Sequence, residues 1–136
     1  MSKILILQTN DEEKLLRLEK LYVVQGYFTF RLRVCSGPYH GVSHFCVSSD
    51  HLQAFAEEIG HLNDTLQGKA ELNDYDSDAF IIFESTGYGQ ITIKGQVGGT
   101  HQDHFMKFKF KTDQTTLDPF RKQIHELLKV SRDDEL

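Results

Sequence analysis

Apolar residues along this chain recur with two different periods, and the changes between them divide it into elements. Lys3 to Gln8 is a short apolar run that predicts a first strand. Leu15 to Val24 admits two readings: Leu15, Leu18 and Tyr22 fit one helical face, while the same stretch tolerates a strand, which we prefer. From Tyr27 the signal sharpens, because Phe28, Phe30, Leu32 and Val34 alternate with Thr29, Arg31, Arg33 and Cys35, the pattern of a strand with one dry face. The turn-rich Ser36-Gly37-Pro38-Tyr39-His40-Gly41 leads into a second β-type run, Val42 to Val47, and together they predict a hairpin. A turn using that whole stretch sets Leu32 opposite Phe45 and Phe30 opposite Val47 on the buried face, with Arg33 facing His44 and Arg31 facing Cys46 on the other. A shorter loop would shift this register.

The next segment changes period. Leu52, Phe55, Ala56, Ile59, Leu62 and Leu66 recur at helical spacing, predicting a helix from Asp50 to Gln67. Asp50 with Gln53 forms a candidate capping box, and Gly68 is the expected left-handed stop. Gly60 inside the helix costs about 1 kcal/mol against Ala, which points to close packing there. Short β-type runs follow at Lys69 to Leu72, Ala79 to Glu84, Gln90 to Val97 and His104 to Lys111, separated by Asp- or Gly-rich turns, as in an antiparallel meander. In the last run Met106, Phe108 and Phe110 face one way and Phe105, Lys107, Lys109 and Lys111 the other, and a lysine row of this kind suits an exposed or edge face. Leu117, Phe120, Ile124, Leu127 and Leu128 form the stripe of a closing helix from Leu117 to Val130. Thr116 as N-cap puts Pro119 at the third helical position, where its missing N–H removes no helical bond. No internal repeat or linker divides the chain, so one domain over residues 1–136 is expected.

These elements predict an α+β fold: a mostly antiparallel β-sheet or pair of sheets, about six to eight strands, with two amphipathic helices packed on the apolar face. At 136 residues, 39% hydrophobic, the chain can bury roughly two-thirds of its unfolded surface without disulfide or metal staples. No run approaches the roughly 20 apolar residues of a membrane helix, and the N-terminal stretch lacks a cleavable signal pattern, so a cytoplasmic protein with no membrane partner is expected. In that compartment Cys35 and Cys46 are free thiols, and neither the Asn63-Asp64-Thr65 sequon nor the C-terminal Asp133-Asp134-Glu135-Leu136 has a role. The net charge of −5 opposes general attraction to phosphate backbones, so nucleic acid is not an expected partner. Acidic residues gather at Asp11 to Glu13, at Glu71, Asp74, Asp76 and Asp78, and at Asp133 to Glu135. Runs like these usually keep loops solvated, but an acidic surface also speeds docking of a basic partner.

Candidate chemistry is thin. Cys35, His40, His44 and Cys46 are all ligand types for a soft metal, yet the hairpin separates the two thiols along its ladder and no Cys-x-x-Cys pair is present. His101 and His104 flank Asp103 near a loop and lack a third ligand. Cys46 with His44 on one strand face is the nearest thiol–imidazole pair, without an orienting third group. Gly87-Tyr88-Gly89 and Gly98-Gly99 lead toward strands, not toward helix N-termini that could bind phosphate, and read as turns. The Phe28/Phe30 and Phe108/Phe110 stripes read as core rather than as a stacking platform. No catalytic residue, metal or cofactor is therefore assigned.

The C-terminal half read as a unit is more specific. Leu66-Gln67-Gly68-Lys69-Ala70-Glu71-Leu72 closes an amphipathic helix, alternating strands follow, and Asp113-Gln114-Thr115-Thr116-Leu117 opens the last helix. From about Tyr27 to Val130 this order resembles the WapI-type immunity proteins of bacterial contact-dependent toxin systems and related small domains. The resemblance implies a non-enzymatic interaction protein that binds and neutralises a cognate toxin, with no catalytic residues to carry over. Many such toxins cut nucleic acid and present basic clefts, and the acidic Glu71, Asp74, Asp76 and Asp78 are the candidate docking surface. Two other classes stay open: a small-ligand or regulatory module, and an enzyme using His44 with Cys46 or His101 with His104. Asp113, Gln114 and Thr115 are expected to hold the strand-to-helix corner by side-chain to backbone hydrogen bonds.

Overall fold

The computed structural model describes residues 4–134. Strands β1 (Ile4–Gln8), β2 (Lys14–Val24), β3 (Tyr27–Ser36) and β4 (Tyr39–Ser48) lead into helix α1 (Ser49–Thr65). Strands β5 (Lys69–Asn73), β6 (Phe80–Gly87), β7 (Gln90–Val97) and β8 (Met106–Asp113) lead through a 3-10 turn (Gln114–Thr116) into α2 (Leu117–Asp134). The strands form two four-stranded antiparallel sheets, ordered β1-β2-β3-β4 and β5-β6-β7-β8. This is the α+β class expected, and it holds a repeat of topology, ββββα twice, that no repeat of sequence announces. Lys3, expected to start the first strand, and Glu135 and Leu136 lie outside the described residues.

In the first sheet, Leu5 and Leu7 pair with Leu18 and Leu16, and these continue to Leu32 and Val34 across β3. All six are buried. A register shift between Lys20 and Tyr22 then reverses which β2 residues face inward. Val23, opposite Phe28, packs on the core, while Tyr22 and Val24 sit opposite Thr29 and Tyr27 and are exposed. The bulge explains why Leu15 to Val24 fits no single period.

The β3–β4 hairpin corrects the expected register. Ser36 pairs with Tyr39, so only Gly37 and Pro38 make the turn. Leu32 accordingly lies opposite Ser43, Phe30 opposite Phe45, Arg33 opposite Val42 and Arg31 opposite His44. Gly37 takes a positive φ of 65°, which glycine adopts without steric cost and which makes so short a turn feasible. The helix ends also differ. Ser48, not Asp50, caps α1, its hydroxyl accepting from the His51 N–H at 3.1 Å, and Asp50 lies in the first turn. Leu66 itself takes the left-handed conformation at the C-cap, two residues before the glycine expected to do so. Asp113 caps the 3-10 turn before α2, its carboxylate accepting from the Thr115 N–H at 2.9 Å. Thr116, the expected cap, directly precedes α2, and its hydroxyl donates to the Asp113 carbonyl at 2.9 Å.

Both helices cover the sheets through one hydrophobic cluster. At its centre Phe83 of β6 meets Phe55 of α1 edge-on (5.4 Å between centroids) and stacks on Phe120 of α2 (5.7 Å). Loss of such a ring costs about 3–5 kcal/mol. Gly60 is a point of close approach between helices, since a Cβ there would lie 3.3 Å from Cδ of Arg121. At Gly95 a Cβ would fall 2.1 Å from the Phe80 carbonyl oxygen, so β6 and β7 need glycine there.

Each helix also closes the edge of the other unit's sheet. Gln123 of α2 accepts from the Ile6 N–H (2.7 Å) and donates to the Ile6 carbonyl (3.1 Å) on β1. Glu58 and His51 of α1 accept from the N–H groups of Glu71 (3.1 Å) and Asn73 (3.0 Å) on β5. Side chains thus satisfy edge groups that would otherwise template strand addition.

Candidate functional site

The four acidic residues singled out in the sequence lie along β5 and the loop that follows it, but in different roles. Asp74 is turned inward. Its Oδ1 accepts from the N–H of Cys46 (2.9 Å) and of Asp76 (3.1 Å), and its Oδ2 from the Ser77 hydroxyl (2.6 Å). The Tyr75 N–H donates to the Cys46 carbonyl at 2.7 Å, so the loop is laced to the open edge of β4. Asp78 braces the other side. It accepts from the Thr100 N–H (2.9 Å), the Thr100 hydroxyl (2.6 Å) and the Gln96 amide (3.1 Å), tying this loop to the one between β7 and β8. The Thr100 hydroxyl, followed by its backbone N–H, holds the Asp78 carboxyl below its ordinary pKa. Glu71 reaches the Lys69 ammonium at 3.7 Å, and both groups are solvated. Asp76 is exposed, and among the described residues its carboxylate has neither a hydrogen bond nor an ion pair.

The lacing presents an aromatic pair that sequence reasoning missed. Tyr75, 69% exposed, lies against Tyr27 with ring centroids 4.9 Å apart and planes at 51°. Tyr27 pairs with Val24 across β2 and β3, and Tyr22 lies one pair further along on the same face. These four side chains form an apolar, tyrosine-rich patch beside Asp76. The two tyrosines that touch stand 48 positions apart in the chain (75 − 27), and only the bond of the loop to β4 brings them together.

The thiol and imidazole candidates do not converge. Cys35 pairs with His40, Sγ to Nδ1 3.6 Å, whereas Cys46 pairs with Thr29 at the far end of the same hairpin. Burial pushes the Cys46 thiol above its ordinary pKa, against a hydrogen bond with Thr29 and with the help of the Asp76 and Asp74 carboxylates. A thiol so placed stays protonated at neutral pH and is a poor nucleophile. His44, opposite Arg31, is exposed, as are His101, Asp103 and His104. Among the described residues no group of three or more His, Cys, Asp or Glu side chains could hold a metal ion. Gly87-Tyr88-Gly89 joins β6 to β7, and Gly98-Gly99 leads toward β8. Asp113 and Gln114 hold the corner before α2 by side-chain to backbone hydrogen bonds as expected, the Gln114 amide donating to the Asn63 carbonyl at 3.2 Å, whereas the Thr115 hydroxyl donates to the Asp113 carboxylate. No helix among the described residues is long and apolar enough to cross a membrane.

Comparison with known proteins places this arrangement. Residues 25–130 match the Immunity protein WapI-like family, and the chain belongs to that family. Among solved structures, one described as crystal structures of trypanosoma bruciei MRP1/MRP2 superposes with a TM-score of 0.55 over 98% of this chain and 86% of that one. At 10% identity the likeness is one of fold alone. No curated protein matches the chain.

Proposed function

We propose that this member of the WapI-like immunity family is a non-enzymatic cytoplasmic protein that binds a cognate bacterial toxin and occludes its active site. The family match over residues 25–130 carries this reading. The docking surface is the acidic stretch Glu71, Asp74, Asp76 and Asp78, with a division of labour among its members. Asp74 and Asp78 fix the loop through six hydrogen bonds. Asp76 and Glu71 face the partner, and Tyr75 with Tyr27 supplies apolar contact area of the kind that dominates interface energetics. A toxin with a basic cleft, such as a nuclease, complements both the loop and the net charge of −5, and the carboxylates chiefly speed its association.

The test is protection. Cells producing a cognate toxin should survive when the full-length chain is co-produced, and the purified pair should form a nanomolar complex. Replacing Tyr27 and Tyr75 together by Ala should weaken that complex by about tenfold to a hundredfold. Survival without any complex, or a complex indifferent to both the tyrosines and the acidic residues, would contradict the reading.

A further inference from the structure

The rim formed by β8 carries the opposite charge. β8 is the last strand of its sheet, and its outward residues Lys107, Lys109 and Lys111 are all exposed. Alternate strand residues lie about 7 Å apart on one face. None of the three has an ion pair among the described residues, whereas Lys14, Lys69, Lys94 and Lys122 each do. Lys94 also lies directly across from Lys109, and like charges opposite one another destabilise a sheet. An acidic chain therefore maintains an unneutralised cationic row at some cost.

The row borders a groove of about 680 Å³ between β8 and the tip of the β3–β4 hairpin. Pro38, Tyr39 and Met106 give the groove apolar surface, and Lys14 adds a further ammonium. The Ser36 hydroxyl donates to the Lys109 carbonyl at 3.2 Å, which ties the hairpin tip to β8 and preforms the groove. Lysines that served only to deter strand addition would need no preformed apolar groove beside them.

We propose that this groove receives a short, extended acidic segment of a protein partner. Carboxylates at alternate positions of such a segment have the spacing of the lysines, and the side chains between them meet Tyr39, Pro38 and Met106. A long polyanion is the poorer fit, because the neighbouring depression that shares Lys14 and Lys111 also contains Asp11 and Asp113, where the cationic stretch ends. The proposal stands independently of toxin docking at loop 74–78, which lies on other elements and has the opposite sign.

Fluorescence anisotropy with a labelled peptide alternating Glu and Val, at low salt, tests it on the full-length chain. Saturable binding is expected that a Lys/Val analogue lacks, and that the combined Lys107→Gln, Lys109→Gln and Lys111→Gln variant weakens by about tenfold. Amide shifts should fall on residues 36–39 and 106–111. Should the triple variant fail to fold, Lys109→Gln alone is expected to weaken binding by about twofold, with Lys122→Gln as an unaffected control. No saturable binding up to about 1 mM, shifts centred on loop 74–78, unaltered affinity in the lysine variants, or tighter binding of a single-stranded RNA oligonucleotide would each overturn it.

Discussion

Asp74 and Asp78 commit their carboxylates to three hydrogen bonds each within the protein, whereas Lys107, Lys109 and Lys111 point out from β8 with no counter-ion among the described residues. As a string of letters, the two regions look alike in kind, a run of acid in a turn and a run of base on a strand. In the fold, two carboxylates of the first are mortar between β4, the β5–β6 loop and Thr100, while the charges of the second are left for something else to meet. Formal charge counted along a chain therefore says little about which charges face a partner. Hydrogen-bond partners distant in sequence decide that, and they make Asp76 the carboxylate of its loop most available to a partner.

The contrast can be broken by mutation. Asp74→Ala removes the acceptor of the Cys46 N–H and should lower unfolding free energy by about 1–3 kcal/mol in urea titration, while Lys109→Gln should change it by less than about 0.5 kcal/mol. Equal losses would erase the distinction. Asp78 sharpens it through pH. Its folded-state pKa lies below the ordinary 3.8, so its contribution is complete above the unfolded value and disappears as the pH falls through the folded one. Thermal stability should fall as pH drops from about 5 to below 3.8, and Asp78→Asn should flatten that fall. The smallest expected effect is chemical: Cys46, buried between Thr29 and the Asp74–Asp76 loop, should react with iodoacetamide much more slowly than free cysteine at neutral pH, and Asp74→Ala should speed it.

Much of the scaffold was legible beforehand because strand alternation and helical spacing are local. Phe28 to Val34, Leu52 to Leu62 and Leu117 to Leu128 bury the faces their spacing predicts. The hairpin register was not legible, for a physical reason. A slip of two residues keeps every side chain on its face, so hydrophobic pattern cannot tell a Gly37-Pro38 turn from a longer one. Ser48 and Asp50 are both good caps, and only the backbone path selects the first. For the candidate site, the acidic residues were visible but their roles were not. Asp74 meets Cys46 across 28 positions and Asp78 meets Thr100 across 22, and no local pattern carries such pairings. The Tyr27–Tyr75 contact and the groove beside β8 were hidden for the same reason.

The proposed docking role comes down to Asp76. With a cognate toxin in hand, stopped-flow association should be measured for the native protein and for Asp76→Lys across a range of salt concentrations, after confirming that both unfold at the same urea concentration. Slower association by the variant, most marked at low salt and fading as salt screens the charge, is the predicted result. Identical rates at every salt concentration would show that the acidic loop takes no part in recognition.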